Sequence, residues 1–498
     1  MNRLPVLAGL LVAACSVGPD WRGQYPPNIR SLTEAPVPDT LDANGAVQRL
    51  VPGRDIPGDW WKLYNNPALD TLVRRALAAN PSLDAAQAAL RLARENAYAQ
   101  EGSYFPSAAA AFTPSRNKTA TGNLSPNSAS GSPYYNVTTA QVTVSFVPDV
   151  FGANRRAVES LVAQAENQRF QLEATYLTLT ANVVTAAIQE ASLREQIAAT
   201  ERVVAFAKEG LRILNTQRSL GQVAGVEVFA QAALLAQAQA TLPPLVKQLN
   251  QQRTQLAAMT GRLPDQPVPE TFRLADIHLP AELPVSIPSQ VVAQRPDIRQ
   301  ADENARSFNA QIGVAIANRI PAIALTANVG SSPGGVSQLF TPGNGFFTLA
   351  GSITQPLFQG GQLLHRQRAA EAAYEQAQAQ YYNTVVTAFQ NVADALQALK
   401  SDADAVLYAQ AAEEAANNSL RIIQTQLRLG QVGYLALLTA QSTELQASLI
   451  LAQAQAKRLA DAAALMQSLG GGWWNRDDDR AQTNKSMGIL GVVGFPWR

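Results

Sequence analysis

The sequence predicts a mainly α-helical protein made of a duplicated unit, with a few strands per chain that only several copies together can close into a barrel. Three observations predict it. The chain repeats itself: Arg218-Ser219-Leu220-Gly221-Gln222-Val223 is matched by Leu427-Arg428-Leu429-Gly430-Gln431-Val432, and a second glycine, Gly261 or Gly470, follows each turn glycine by 40 residues. A period of about 210 residues is far too long for a solenoid unit and indicates two copies of one domain side by side. Second, each copy holds a helical run of unusual length. Third, a handful of segments alternate between apolar and polar residues, the period of a half-buried strand.

From the N-terminus, Arg3 gives a minimal basic region, Leu4 to Ala14 a short apolar one, and Val12-Ala13-Ala14-Cys15 the small-residue spacing of a bacterial lipoprotein signal. Cys15 is the only cysteine. A lone cysteine is usually a buried free thiol, but this one falls where a signal peptide is cut. An acylated Cys15 would begin the mature chain and hold it to a membrane; Ser16, not Asp, follows it. Residues 1–14 are therefore read as a signal peptide and 15–58 as an extended Pro- and Gly-rich strap.

The first repeat is placed at 59–262. Trp60-Trp61 opens a short helix expected to run to about Asn80, and Pro81-Ser82-Leu83-Asp84 starts another reaching about Tyr104. Residues 115–133 read as a loop, and 331–345 as its counterpart. Between them lie the alternating segments. Ala140, Val142, Val144 and Phe146 oppose Thr139, Gln141, Thr143 and Ser145; Ile323, Leu325, Ala327 and Val329 oppose Ala324, Thr326 and Asn328; Phe347, Leu349 and Ile353 oppose Thr348, Ser352 and Thr354. Half of a soluble sandwich would look the same locally. Two features favour a membrane barrel: only four such strands are expected in the chain, and their polar face carries small uncharged residues suited to a watery lumen. Tyr134, Tyr135, Phe346 and Phe347 stand at strand ends, where an aromatic girdle or ordinary packing would both use them.

From about Asn154 to Ser219 there is no proline and one glycine, Gly210; from about Gln362 to Leu429 there is neither. Some 65 helical residues reach roughly 100 Å, too long for one globular core, so these rods must pack in a helical tube. The turns at Gly221 and Gly430 reverse them into antiparallel hairpins. Residues 263–294 are read as a linker, 295–472 as the second repeat and 473–498 as a solvated tail containing Asp477-Asp478-Asp479.

Composition narrows the function. A formal net charge of +1 argues against an electrostatic nucleic-acid binder, which needs a basic stripe. No run of roughly 18 apolar residues follows the N-terminus, so no spanning helix is expected. His278 and His365 are the only histidines, and no Cys/His cluster, phosphate-cradling glycine loop or nucleophile elbow occurs. No catalytic group, cofactor site or metal site is expected, and four methionines lend no support to a methionine-lined copper route.

Several short motifs occur in a fixed order: Gly18-Pro19-Asp20-Trp21 after Cys15, Trp60-Trp61, Asn80-Pro81-Ser82-Leu83, Asp149-Val150-Phe151-Gly152, Arg295-Pro296-Asp297-Ile298-Arg299, Gln355-Pro356-Leu357-Phe358-Gln359-Gly360-Gly361 and Leu469-Gly470-Gly471-Gly472-Trp473. Together, over Cys15 to Trp474, they resemble the TolC-type outer-membrane efflux factors, and most of all their NodT-like lipoprotein branch. The resemblance implies a homotrimer in the bacterial outer membrane, with a 12-stranded barrel above a periplasmic α-tunnel. It also implies a periplasmic adaptor and an inner-membrane pump, commonly of the resistance-nodulation-division class. Small-molecule efflux is the implied role, with the conduit of a type I protein secretion system as the alternative.

The residues require a similar assembly, because four strands cannot close a barrel and open edges are not tolerated in lipid. Family members often carry an acid at the tip turn. Here the second tip, Gly430-Gln431-Val432-Gly433-Tyr434, has none, and the first offers only Glu227. The candidate tip and gate residues are Gly221, Glu227, Gly430, Val432 and Tyr434, with closure by packing of Val432, Tyr434 and Leu435 set against an acidic gate.

Overall fold

The computed structural model describes residues 17–24, 26, 33, 38–42, 47–118, 134–285 and 288–476. Cys15 and Asp477 to Asp479 lie outside them. In chain order the elements are β1 (Thr40–Leu41), β2 (Gln48–Pro52), α1 (Pro67–Ala79), α2 (Pro81–Glu101), β3 (Ser107–Lys118), β4 (Tyr134–Phe146), α3 (Ala153–Ser219), α4 (Gly225–Met259), β5 (Glu282–Val285), α5 (Pro288–Gln294), α6 (Pro296–Ala317), β6 (Ala322–Ser331), β7 (Gly345–Thr354), α7 (Gln362–Arg428) and α8 (Tyr434–Ser468).

The duplication is visible in lengths. The rods α3 and α7 are each 67 residues, and their return helices α4 and α8 are each 35. At about 1.5 Å per residue each rod is ~100 Å long. The strands β3, β4, β6 and β7 form one antiparallel sheet in that order, at the end of the rods opposite the hairpin turns. Along the rods α4 packs on α3, α3 on α8 and α8 on α7, while nearer the sheet α2 and α6 flank α3.

The short motifs turn out to be joints. Asp149 caps α3, its carboxylate accepting from the backbone N–H of Asn154 (2.9 Å) and Arg155 (2.8 Å). Asn80 accepts from Ser82 N–H at 2.9 Å and donates to the Met259 carbonyl at 2.8 Å, tying the α1–α2 corner to the end of α4. Arg295 is buried, donates to the carbonyls of Ser468 (2.7 Å) and Ala388 (3.4 Å), and holds both oxygens of Asp297. One guanidinium thus joins the start of α6 to α7 and to the end of α8. The core sits around these joints, where Trp60, Tyr64, Leu69, Ile188, Val385 and Leu465 are fully or almost fully buried.

Four sequence expectations need correction. The segment from Trp60 to Asn80 is not one helix: a 3-10 turn at Trp60–Tyr64 ends at Asn65, in the left-handed region at φ 48°, and α1 restarts at Pro67 with Asn66 accepting from Leu69 N–H. Pro67 cannot donate to a preceding turn, so the helix begins there. The strap is not merely extended, because β1 and β2 within it join β5 of the 263–294 segment in a second, three-stranded sheet. Among the described residues, three short strands thus stand beside the four alternating ones expected. The expected loop at 115–133 starts later, since β3 continues to Lys118. Finally, the tail is docked at its start: Trp473 donates to the Gln294 carbonyl (2.6 Å), Trp474 to Asp55 (2.9 Å), and Arg476 pairs with buried Glu173 (2.8 Å).

Candidate conduit: a one-sided sheet and two paired tips

Strand register decides which residues share a face, because directly opposed residues point the same way. Val144 lies opposite Ala108 and Ala327, and Ala327 opposite Leu349; one level outward, Val142 lines up with Ala110, Val329 and Phe347. One level inward come Phe146, Leu325 and Gly351. The other face carries Thr143, Asn328 and Thr348 on one level and Ser145, Thr326 and Ala350 on the next. Apart from Phe346 at the end of β7 and a few smaller residues, the four strands thus turn their apolar residues to one side. Those side chains lie open in the single chain, Leu349 at 81% and Phe347 at 83%.

The apolar band ends abruptly toward the β3–β4 tip. There Arg116, Lys118 and Tyr134 follow on the same face, with the Arg116 guanidinium 6.0 Å and the Lys118 ammonium 5.3 Å from the Tyr134 ring. A cation and an aromatic ring beyond an apolar band are what a lipid–water boundary favours. Of the four expected girdle aromatics, Tyr134 and Phe347 share the apolar face, whereas Tyr135 and Phe346 belong by register to the other. A strand of ten to thirteen residues, tilted, is long enough for a hydrocarbon core of about 30 Å. The outer strands β3 and β7 have no partner on their free edges among the described residues.

The two tips are built alike. Gly221 N–H donates to Arg218 and Gln222 N–H to Gln217; Gly430 N–H donates to Leu427 and Gln431 N–H to Gln426. This is the Schellman pattern, in which the residue after the helix takes a left-handed backbone, and Gly221 and Gly430 do so at φ 75° and 71°. A β carbon on either would meet nothing within 4 Å, so these glycines are conformationally required but not close-packed. Both tips expose apolar side chains, including Leu220, Val226, Leu429 and Leu435. Glu227 sits half-buried in the first turn of α4, and Val432 is half-buried in the second turn.

Tyr434 is the candidate that the fold brings into contact with the other hairpin. Its hydroxyl occupies the space that a β carbon on Gly210 would need, and a β carbon there would also press on Gln231 at 2.9 Å. Gly210, the only glycine of α3, is therefore the slot that admits a ring from the second tip. Burial pushes the Tyr434 phenol above its ordinary pKa. Gln231 is fully buried beside it and donates to the Ala207 carbonyl at 2.7 Å. Gly210 and Gln231 were not singled out as site residues from the sequence; the signal available was a lone glycine in a long helix. Leu435, expected to pack beside Tyr434, is instead 72% exposed in the single chain.

A third feature lies at the helical end of the sheet. Gly18, at φ 92°, lies so close to Gly313 that a β carbon would come within 2.5 Å of its Cα. Val17 N–H donates to Phe151 (3.3 Å), Asn309 donates to the Pro19 carbonyl (3.0 Å), and buried Arg156 binds Asp20 (2.6 Å) and the Val17 carbonyl (3.2 Å). The Gly18-Pro19-Asp20 motif thus fixes the strap a few residues beyond the end of β4. The described residues hold no cluster of three or more metal-binding side chains, and none of the described helices is long and apolar enough to cross a membrane.

Comparison with known proteins agrees with this geometry. The chain matches the family model described as outer membrane efflux protein over residues 72–262 and 287–471. It is 27% identical over 417 residues to the pyoverdine export outer membrane protein OpmQ of Pseudomonas putida, covering 83% of this chain and 88% of that one. It is 26% identical over 477 residues to the outer membrane protein OprJ of Pseudomonas aeruginosa, covering 94% and 95%. The solved outer-membrane channel OprN superposes with a TM-score of 0.81 at 25% identity, over 92% of this chain and all of that one. Two matched segments, one in each half, account for most of the chain: it belongs to the outer membrane efflux protein family.

Proposed function

We propose that this chain is the exit duct of a tripartite efflux system, a homotrimer that passively conducts small molecules to the cell exterior. The observation that carries it is the one-sided, open-edged sheet continuous with two ~100 Å rods. Three copies supply 12 strands, enough to close a barrel, and the pooled rods enclose a tunnel beneath it. A conduit needs no catalytic group, and the chain acts without enzyme chemistry. Its partners are outer-membrane lipid, a periplasmic adaptor meeting the paired tips and an inner-membrane pump, of the resistance-nodulation-division type. The two repeats, 59–262 and 295–472, are joined by the segment at 263–294.

Closure at the tip relies on packing, with the Tyr434 ring in the Gly210 slot, rather than on a ring of carboxylates. Gly430→Asp tests the tip assignment. An aspartate tolerates the left-handed backbone at a cost of about 1–2 kcal/mol, and nothing nearby obstructs it. Trimer abundance in outer-membrane fractions should stay normal, while drug accumulation in cells lacking competing conduits rises to that of a strain without the protein. Normal export with normal trimer would refute the assignment.

The strap supports a lipid anchor at Cys15. Only Ser16 separates Cys15 from Val17 in the sequence, and Val17 is held beside Phe151, at the helical end of the sheet where the periplasmic face of the outer membrane would run. Mass spectrometry of the mature N-terminal peptide should find Cys15 as residue one, carrying a diacylglyceryl group. A chain still beginning at Met1 with a free thiol would remove the anchor.

A further inference from the structure

We propose that the outward face of the sheet binds a phosphorylated glycolipid of the outer leaflet, with an acyl chain in a crevice beneath the β6–β7 loop and a phosphate on Arg116 and Lys118. The inference rests on the barrel reading above and assigns that barrel one specific lipid.

Charge is almost absent from this part of the chain. Between Pro106 and Pro148, and between Ile320 and Gly361, the only charged residues are Arg116 and Lys118. No carboxylate of these segments neutralises them. Both are exposed, and register turns both outward: Arg116 lies opposite Asn136 and Lys118 opposite Tyr134, on the face of Phe112 and Val142. The Tyr134 ring gathers them, at 6.0 Å and 5.3 Å from its centre. Arg116 stands nine residues from Ser107, where β3 leaves the helical end. That is about 30 Å along a tilted strand, and the apolar band of a membrane barrel is roughly 25 Å tall. The pair therefore reaches the headgroup level on the side away from the rods. Two uncompensated cations at that level match phosphate oxygens.

The crevice lies between the Val144 level and this pair, with a volume of about 790 Å³. From each of three strands it takes two outward residues and the backbone between them: Ala110 and Phe112, Ala140 and Val142, Val329 and Ser331. A hollow on the lumen side would instead be lined by their neighbours on the polar face. Its other wall is the loop between β6 and β7, at Leu339 to Gly343. That loop stays close to β4, where the Pro333 carbonyl accepts from Thr138 N–H at 2.8 Å. Thr138, outward by register, is the one deeply buried residue of β4. Phe340 stands in the loop wall of the crevice and is 99% exposed. The lining is almost wholly apolar, and the volume falls within the ~300–1,000 Å³ of small-ligand pockets.

Spacing joins the two features. Phe112 in the crevice and Arg116 are four residues apart on one face of β3, about 13 Å along the strand. Free phosphate would use the cations alone, and a neutral lipid the crevice alone. One molecule with an acyl chain below and a phosphate above uses both. The far end of the sheet faces the exterior, so the lipid is the phosphorylated glycolipid of that leaflet rather than a phospholipid of the other.

Native mass spectrometry of the full-length protein in detergent, titrated with diphosphorylated lipid A, tests the site. The trimer should take up one lipid per chain. Arg116→Gln/Lys118→Gln should weaken uptake at least about tenfold, having lost both charged donors, and Ala140→Trp should weaken it by filling the crevice. The exchange Arg116→Lys/Lys118→Arg should bind normally, while dephosphorylated lipid A and phosphatidylglycerol should bind poorly. A trimer whose Gln variant binds as well as the parent, or which takes the dephosphorylated lipid equally, overturns the phosphate site. Normal uptake by Ala140→Trp overturns the crevice, and equal uptake of phosphatidylglycerol overturns the choice of lipid. Each of these leaves the barrel standing. A protein found only as a monomer overturns the barrel reading and the site with it.

Discussion

Val144→Arg should sharply reduce the amount of assembled trimer in outer-membrane fractions, whereas Thr143→Arg should leave it close to normal. The two residues are adjacent in β4 and differ in the face they present. Val144 lies level with Ala108, Ala327 and Leu349, in the middle of the apolar band. Thr143 lies level with Asn328 and Thr348, on the polar side. An arginine facing lipid near the midplane costs about 2–4 kcal/mol, and a three-fold barrel incurs it three times. On the lumen side the same arginine stays hydrated. Quantitative blotting of cross-linked trimer in membrane fractions measures the contrast. Equal yields would mean that the apolar face does not meet lipid.

Arg295→Leu should destabilise the chain by about 3 kcal/mol, since a buried acceptor left unpaired costs about 1–3 kcal/mol. The variant strips the donor from the Ser468 and Ala388 carbonyls and leaves Asp297 without its guanidinium. Asp297 is 41% exposed and regains water, and the Ala388 carbonyl keeps its helical hydrogen bond inside α7, so most of the loss comes from the Ser468 carbonyl at the end of α8. Arg295→Lys should recover part of it, having one ammonium where a planar fork reached three partners. Arg91→Leu, on an exposed site of α2, should change little. Thermal melting in detergent, followed by helical circular dichroism, ranks the three variants. An Arg295→Leu midpoint equal to that of Arg91→Leu would remove the joint from the account.

Much of the fold was legible because it is written in short-range chemistry. The rods are long runs without proline, their ends are glycines that accept a left-handed turn, and the sheet faces follow from strict alternation. The small sheet was not legible. β1 has two residues and β5 four, too short for alternation to register, and β2 meets β5 through pairs such as Arg49 with Glu282. The break before Pro67 was written in the sequence, yet a continuous apolar pattern ran across it. Among the candidate tip residues, Gly221 and Gly430 carry their turn geometry in the sequence itself. The contact of Tyr434 with Gly210 does not, because it joins two hairpins through a void that only the packed structure defines. The docking of Trp473, Trp474 and Arg476 was hidden for the same reason, as all three partners come from distant segments.

The ring-in-slot contact at the tip has a mechanical consequence. Repetition alone would make every boundary between hairpins equivalent, and a closed ring of three chains would then behave as a six-spoked iris. The repeat counterpart of Tyr434 is Gly225, and that of Gly210 is Ser419. The slot and its ring therefore occur once per chain. In the proposed trimer, joints with a ring seated in a slot inside each subunit would alternate with joints between subunits that lack one. Widening the mouth of that trimer would load alternate boundaries unequally, and the aperture would dilate with three-fold rather than six-fold compliance.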